Sequence, residues 1–122
     1  MIYKQTRFSV MDNTGALEVE LIGAFKKQKY ACGIGNLIMV AVKRAVKKKK
    51  VKRGDVKQAL IVQTKRRVIR FSQGYEIRFP ANQVVIMGKY EAPLGTRLKG
   101  LVTQELRARK QVKTVTMSSY II

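Results

Sequence analysis

Hydrophobic and polar residues alternate in short stretches over the first ninety residues, which is the pattern of half-buried β-strands. Alternation or a short apolar run marks six segments: residues 7–10, 17–21, 37–42, 56–64, 75–79 and 84–87. Turn-forming sequences separate them at residues 12–15, 33–36, 52–55 and 72–74, and a polar hairpin tip is expected at residues 26–30. Many short strands at near-even spacing predict a mainly β fold built on a small closed barrel.

The pattern changes after residue 90. Pro93, Gly95 and Gly100 predict a loop over residues 91–101 with at most one helical turn. Thr103 is expected to cap a short helix over residues 104–110, with an acid in its first turn and basic residues toward its end. Residues 112–116 are β-branched and leave strand or helix open. We therefore expect one domain over residues 1–122, with the barrel in residues 1–90 and loops with short helices in residues 91–122.

The charge balance points to a polyanionic partner. The chain has 26 Lys and Arg, 7 Asp and Glu and no His, so its net charge is +19. So much like charge destabilises the compact state unless a polyanion binds, and a phosphate backbone is the natural one. The longest apolar run, residues 37–42, is about a third of a membrane-spanning helix, so no membrane insertion is expected. Residues 1–10 lack the apolar core of a signal peptide, and no organelle presequence is visible.

The sequence lacks the residues of a zinc site and of His-based catalysis. With no His and a single cysteine, Cys32, the chain has no disulfide pair, zinc site or His general base. Glu18 and Glu20 are expected to share one face of a strand as a solvated acidic stripe, with no nucleophile nearby. We predict no enzymatic activity and no cofactor.

Two basic segments are the candidate functional feature. Eight of the eleven residues from 43 to 53 are basic: Lys43, Arg44, Lys47, Lys48, Lys49, Lys50, Lys52 and Arg53. A second group follows one strand later: Lys65, Arg66, Arg67 and Arg70. Because predicted strands bound the first run on both sides, we expect a loop of fixed geometry, with both groups in one shared patch. No helix-turn-helix, zinc finger or long basic helix is present, so folded RNA is favoured over DNA.

Glycines and aromatic residues add secondary candidates. Five glycines would let backbone N–H groups approach phosphates or simply form turns: Gly33, Gly35, Gly54, Gly95 and Gly100. No aromatic strip typical of single-strand binders is present. The four phenylalanines are expected in the core: Phe8, Phe25, Phe71 and Phe79. Three tyrosines are candidates for stacking on bases: Tyr3, Tyr30 and Tyr90.

Several stretches in order carry a family resemblance. They are residues 12–16 (DNTGA), 51–56 (VKRGDV), 64–66 (TKR), 77–79 (IRF), 93–97 (PLGTR), Gly100, 102–103 (VT) and 105–107 (ELR). Together they resemble ribosomal protein fourteen of the large subunit in its bacterial-type form, from about residue 5 to residue 116 with almost no gaps. The resemblance implies a five-stranded closed barrel, and it implies a helix over residues 112–116.

The resemblance also implies function and site residues. A family member is a structural constituent of the large ribosomal subunit. It binds large-subunit rRNA, packs beside ribosomal proteins nineteen and three, and bridges to small-subunit rRNA. The predicted rRNA-binding residues are Asn13, Gly15, Lys43, Arg44, Lys47, Lys48, Lys49, Lys50, Lys52, Arg53, Lys65, Arg66, Arg67, Arg70, Arg78 and Arg97. By position, Thr96, Arg97 and Lys113 match the surface where the family's ribosome-silencing factor docks.

Departures from the family pattern bear on the source and leave alternatives open. Asn36 stands where the family usually has an acid, and Gln111, Val112 and Thr116 differ from the usual tail. Together with abundant Lys and Ile, this favours a mitochondrial ribosome, with a plastid or a bacterial cytoplasm as alternatives. A free RNA-binding barrel, acting as an RNA chaperone or translational regulator, is the competing function. A polybasic membrane-surface protein ranks lowest, because the basic run is flanked by strands and not placed on an amphipathic helix.

Overall fold

The computed structural model describes residue 2, residues 5–24 and residues 32–122. The predicted hairpin tip at residues 26–30, the core position Phe25 and the stacking candidates Tyr3 and Tyr30 lie outside the described residues.

A closed five-stranded barrel forms the main body and confirms the predicted fold class. Its strands are β1 Arg7–Val10, β2 Ala16–Ala24, β3 Leu37–Ala45, β4 Val56–Gln63 and β7 Gln83–Met87. Neighbouring strands are antiparallel except at the closing contact, where β1 and β7 run parallel with Val10 opposite Val84. Between β4 and β7 the chain forms a hairpin of β5 Val68–Arg70 and β6 Tyr75–Ile77.

The barrel interior is filled by alternate residues of its strands. The buried interior cluster includes Phe8, Val19, Ile38, Val40, Val42, Ala59, Ile61, Val84 and Ile86. In β3 these inward positions alternate with half-buried ones, as a strand with one face against a core requires. Burial of the valine, isoleucine and phenylalanine side chains in this cluster stabilises the fold by about 1.5–3 kcal/mol each.

A second hydrophobic cluster attaches the C-terminal region to the outside of the barrel. Strands β4 and β7 are apolar on both faces, so Leu60, Val62 and Val85 point away from the interior and are still buried. They are covered by side chains from the later chain: Leu98, Val102, Leu106 and Val115. Burial on both faces explains why residues 59–62 read as a continuous apolar run.

The C-terminal region contains short elements. These are a 3-10 helix Lys89–Glu91, β8 Leu101–Val102, α1 Glu105–Ala108, α2 Val112–Met117 and β9 Tyr120–Ile121. Helix α2 confirms the helix implied by the resemblance, because burial of Thr114 and Val115 outweighs their β propensity. Helix α1 is shorter than predicted, and Thr103 does not cap it: Gln104 occupies the N-cap position, without a side-chain hydrogen bond. In the described part of the chain, no helix has the length and apolar character needed to cross a membrane.

Two further positions differ from the sequence predictions. Leu17, assigned to the buried face of its strand, is 46% exposed. The register of β2 against β3 shifts on both sides of Glu18, and such bulges break a strict alternation. Phe71, assigned to the core, is 89% exposed because it begins the turn between β5 and β6. Phe8 and Phe79 are buried as predicted.

Candidate nucleic-acid interface

The first basic run divides between a strand and a loop. Lys43 and Arg44 still belong to β3, so the predicted single loop over residues 43–53 is corrected to a loop over residues 46–55. Within this loop Val51 is fully buried against the barrel interior. The N–H of Gly54 donates to the Val42 carbonyl at 2.8 Å, in a turn where Gly54 has φ +91°. An apolar anchor and backbone hydrogen bonds therefore hold the basic loop in one geometry.

Residues 12–15 form a second loop that packs directly on the basic loop. The Val46 N–H donates to the Gly15 carbonyl at 2.8 Å, and the Val51 N–H donates to the Thr14 carbonyl at 3.3 Å. Gly15 has φ +100°, and a Cβ built on it would lie 2.3 Å from the Cβ of Lys49. Only glycine fits there, so the requirement for Gly15 is explained by the approach of Lys49.

Asp12 fixes the loop of residues 12–15 to the barrel. Its carboxylate accepts hydrogen bonds from the Thr14 N–H (3.2 Å), the Thr14 hydroxyl (2.6 Å) and the Ile86 N–H (2.8 Å). Burial raises the pKa of Asp12, while these hydrogen bonds act in the opposite direction. The carboxyl group is fully engaged inside the protein, so Asp12 serves structure and not ligand binding.

A third loop, residues 93–97, joins the other two. The Asn13 side-chain oxygen accepts from the N–H groups of Thr96 (2.9 Å) and Arg97 (3.3 Å), and its amide donates to the Thr96 hydroxyl (2.9 Å). The Lys50 ammonium lies 3.4 Å from the Leu94 carbonyl. Residues 12–15, 46–55 and 93–97 thus form one continuous surface, which we call the loop face.

The loop face carries unneutralised positive charge. Its basic residues are all exposed: Lys47, Lys48, Lys49, Lys50, Lys52, Arg53 and Arg97. Across the described ranges, no Asp or Glu forms an ion pair with any of them. Asp55, the acid in the loop, accepts a hydrogen bond from the Lys52 N–H at 3.0 Å. This surface is therefore suited to binding a polyanion.

The structure does not bring the two basic segments together. The loop over residues 46–55 precedes β4, whereas Lys65, Arg66 and Arg67 follow it. Eight residues of strand separate the two segments by about 25 Å. The predicted shared patch is thus two separate patches, the loop face at one end of β4 and the β5–β6 hairpin with its flanks at the other.

Within the second segment, Arg70 is directed inward. Its side chain is 9% exposed. Its guanidinium donates to both carboxylate oxygens of Glu105 at 2.8 and 3.1 Å, and to the Ile122 carbonyl at 2.8 Å. This bidentate contact raises the pKa of Arg70 and lowers the pKa of Glu105. Arg70 therefore joins the hairpin to α1, and its charge is already neutralised within the chain.

The remaining predicted site residues are at the surface. Lys65, Arg66 and Arg78 are exposed, and Arg67 pairs with Glu76 at 3.4 Å. Thr96 and Lys113 are also exposed. Glu18 and Glu20 lie on β2 as expected, but they do not form a solvated stripe. Their side chains are only 27% and 22% exposed, and Arg7 lies 3.2 Å from Glu18 and 3.7 Å from Glu20. Among the described residues, no group of three His, Cys, Asp or Glu side chains comes together as a metal site.

Sequence reasoning missed two surface features. The exposed ring of Phe71 is one. The other is a hollow of about 200 Å³ beside Tyr90, which is 98% exposed. Six residues line this hollow: Tyr90, Glu91, Lys110, Gln111, Val112 and Lys113. The turn predicted at residues 72–74 is a local signal for the exposure of Phe71. The hollow has no such signal, because it depends on the left-handed backbones of Tyr90 and Glu91, with φ of 60° and 54°.

Comparison with known families agrees with this architecture. The family model for ribosomal protein L14p/L23e matches residues 1–122, the whole chain. The chain therefore belongs to the L14 family of large-subunit ribosomal proteins.

Proposed function

We propose that this structural protein of the large ribosomal subunit binds large-subunit rRNA through its loop face. The observation that carries the proposal is the set of exposed, unpaired cations on a loop anchored by Val51. Lys and Arg side chains that neutralise phosphates release condensed counterions, which favours binding in proportion to the number of contacts. Because the loop is already rigid, its protein backbone loses little conformational entropy when the lysines contact RNA phosphates.

Asn13 and Gly15 support binding in a different way. The Asn13 side chain is used in hydrogen bonds to Thr96 and Arg97, so it shapes the loop face. Gly15 allows the loop of residues 12–15 to lie against Lys49. Their proposed contribution to RNA binding is to hold the basic side chains at fixed positions, because phosphate contacts set the register and orientation of a protein on nucleic acid.

The finer assignments are also proposals. We infer contacts with small-subunit rRNA at the subunit interface and with ribosomal proteins nineteen and three. A ribosome-silencing factor is proposed to bind Thr96, Arg97 and Lys113, which is supported by the exposure of all three side chains. The abundance of Lys and Ile favours a mitochondrial ribosome. A single domain is supported by the hydrophobic cluster shared between the barrel and the C-terminal region.

Sedimentation of a tagged chain from its own cells tests the proposal. We expect the protein in the large-subunit fraction, with release by high salt or by ribonuclease treatment. A protein that stays free at physiological salt and binds short single-stranded oligonucleotides would contradict the proposal and favour the RNA chaperone or translational regulator. The salt titration should be made on purified subunits, so that release reports rRNA contacts and not assembly.

A further inference from the structure

The turn of the β5–β6 hairpin presents the aromatic ring of Phe71 to solvent. Phe71 begins the four-residue turn over residues 71–74, and 89% of its surface is exposed. The N–H groups of Gln73 and Gly74 donate to the Arg70 carbonyl at 3.2 and 3.0 Å, so the turn itself is closed by hydrogen bonds. An exposed phenylalanine on an ordered turn has an unfavourable contact with water, which a partner would remove.

The hairpin is held firmly against the rest of the protein. Arg70, next to Phe71, binds Glu105 through two hydrogen bonds and lies over the Tyr75 ring with its guanidinium carbon 5.6 Å from the ring centre. Val68 and Ile77, at the base of the hairpin, pack against the second hydrophobic cluster. The Phe71 ring is therefore presented from a fixed base, which reduces the entropy lost when it binds.

The surroundings of Phe71 are cationic. Between residues 65 and 78 there are five basic residues and one acid. Lys65, Arg66 and Arg78 are exposed and have no acidic partner in the described part of the chain. Besides Phe71, the exposed large apolar side chains of this hairpin are Ile69 and Tyr75. This is too little apolar surface for a protein-docking patch, whereas one aromatic ring among cations matches the way proteins bind unpaired nucleotides.

We propose that the Phe71 ring stacks on an unpaired base of the large-subunit rRNA while the flanking cations contact its phosphates. This inference rests on the proposed function, and it adds a second RNA contact on the hairpin that follows the other end of β4. Removal of a ring that stacks on one base lowers affinity by about 5- to 140-fold. Because the ring is uncharged, its removal should not change the salt dependence.

A substitution series with transcribed large-subunit rRNA separates stacking from other roles. Phe71→Ala should weaken binding by about 5- to 140-fold at every salt concentration, with an unchanged slope against salt. Phe71→Leu should be as weak as Phe71→Ala, and Phe71→Tyr should bind like the wild type, since stacking needs a ring and tolerates a hydroxyl. Ile69→Ala is the matched control on the same hairpin and should bind within about twofold of the wild type.

A fluorescent variant gives an independent readout. The chain has no Trp, so Phe71→Trp introduces the only indole. Stacking on a base should quench its emission on addition of the rRNA, whereas burial in an apolar protein pocket of the assembled subunit should shift the emission to shorter wavelength. Because Phe71 is exposed, each variant should keep the wild-type melting temperature, which is measured alongside.

The outcomes distinguish this inference from the proposed function. Wild-type affinity in Phe71→Ala, with normal rRNA binding by the wild type, would overturn the stacking contact and leave the loop face intact. Wild-type affinity in Phe71→Leu, or a blue shift without quenching in Phe71→Trp, would assign the ring to an apolar pocket and also overturn it. Absence of rRNA binding by the wild type would overturn both proposals.

Discussion

Removing the four consecutive lysines of the basic loop should flatten the salt dependence of rRNA binding. The change is Lys47→Ala, Lys48→Ala, Lys49→Ala and Lys50→Ala together, which lowers the net charge from +19 to 19 − 4 = +15. All four side chains are exposed, and buried Val51 stays in place to anchor the loop. Alanine also keeps the Cβ of residue 49 that packs on Gly15. The fold should therefore be unchanged.

The expected magnitude follows from counterion release. If each lysine neutralises one phosphate, the slope of log affinity against log salt shrinks by about 3 for the four residues. Between 50 and 200 mM salt, that difference makes the affinity loss of the variant about 60-fold smaller than that of the wild type. The assay is a filter-binding or anisotropy titration with transcribed large-subunit rRNA at five or six salt concentrations, with thermal unfolding measured on the same samples.

A control variant of equal charge separates a local site from bulk attraction. Alanine at Lys89, Lys99, Arg107 and Lys110 also gives +15, and these four exposed residues lie outside the loop face. We expect its slope to change by less than about 1. Equal slope changes in the two quadruple variants would refute the loop face as the binding site, because net charge alone would then account for the affinity.

Further predictions concern the loop geometry and the hairpin anchor. Gly54→Val should lower the free energy of unfolding by at least about 1–2 kcal/mol, because residue 54 has φ +91°. Gly23→Val is the control: an added Cβ has nothing within 4 Å at either position, but Gly23 has no positive φ, so this change should cost far less. Equal melting temperatures of the two variants would contradict this. Gly15→Ala should reduce both thermal stability and rRNA affinity, because its methyl would lie 2.3 Å from a Lys49 carbon; wild-type affinity would show that the two loops are not coupled. Glu105→Gln should destabilise the protein at neutral pH and do so less in acid. Arg70 lowers the pKa of Glu105, so the ionised carboxylate contributes its full stability above the ordinary glutamate pKa and loses it as pH falls through the lowered pKa. A stability difference between variant and wild type that stays constant from pH 7 to pH 3 in thermal unfolding would contradict this.

Most of the barrel could be predicted from sequence because short-range patterns, such as alternation and turn residues, determine its strands. Alternation at residues 7–10 and 37–42 reports directly which side chains face a core, and Gly54 marks a turn that only a positive φ permits. The helix over residues 112–117 was not predictable from local propensity, since its β-branched residues favour strand. The family resemblance predicted this helix, because a family's known fold already includes the effect of tertiary packing.

The differences between the predicted and the observed site have a common physical cause. The basic composition of its segment predicts an RNA contact for Arg70. Its pairing with Glu105 has no local signature, because the two residues are 35 positions apart. Hydrophobicity predicts a core position for Phe71, but it does not distinguish a residue within a strand from the first residue of a turn, which is where Phe71 lies. The two basic segments were expected together, yet an eight-residue strand places them at opposite ends. Each difference concerns which residues meet in space, which short-range patterns do not encode.

A density map of the intact large subunit with this protein in place would show directly what the basic loop contacts. We expect the loop over residues 46–55 against rRNA, with the ammonium groups of Lys47, Lys48, Lys49 and Lys50 within hydrogen-bonding distance of phosphate oxygens. A map in which these four side chains face solvent or another protein, with rRNA elsewhere on the surface, would contradict it.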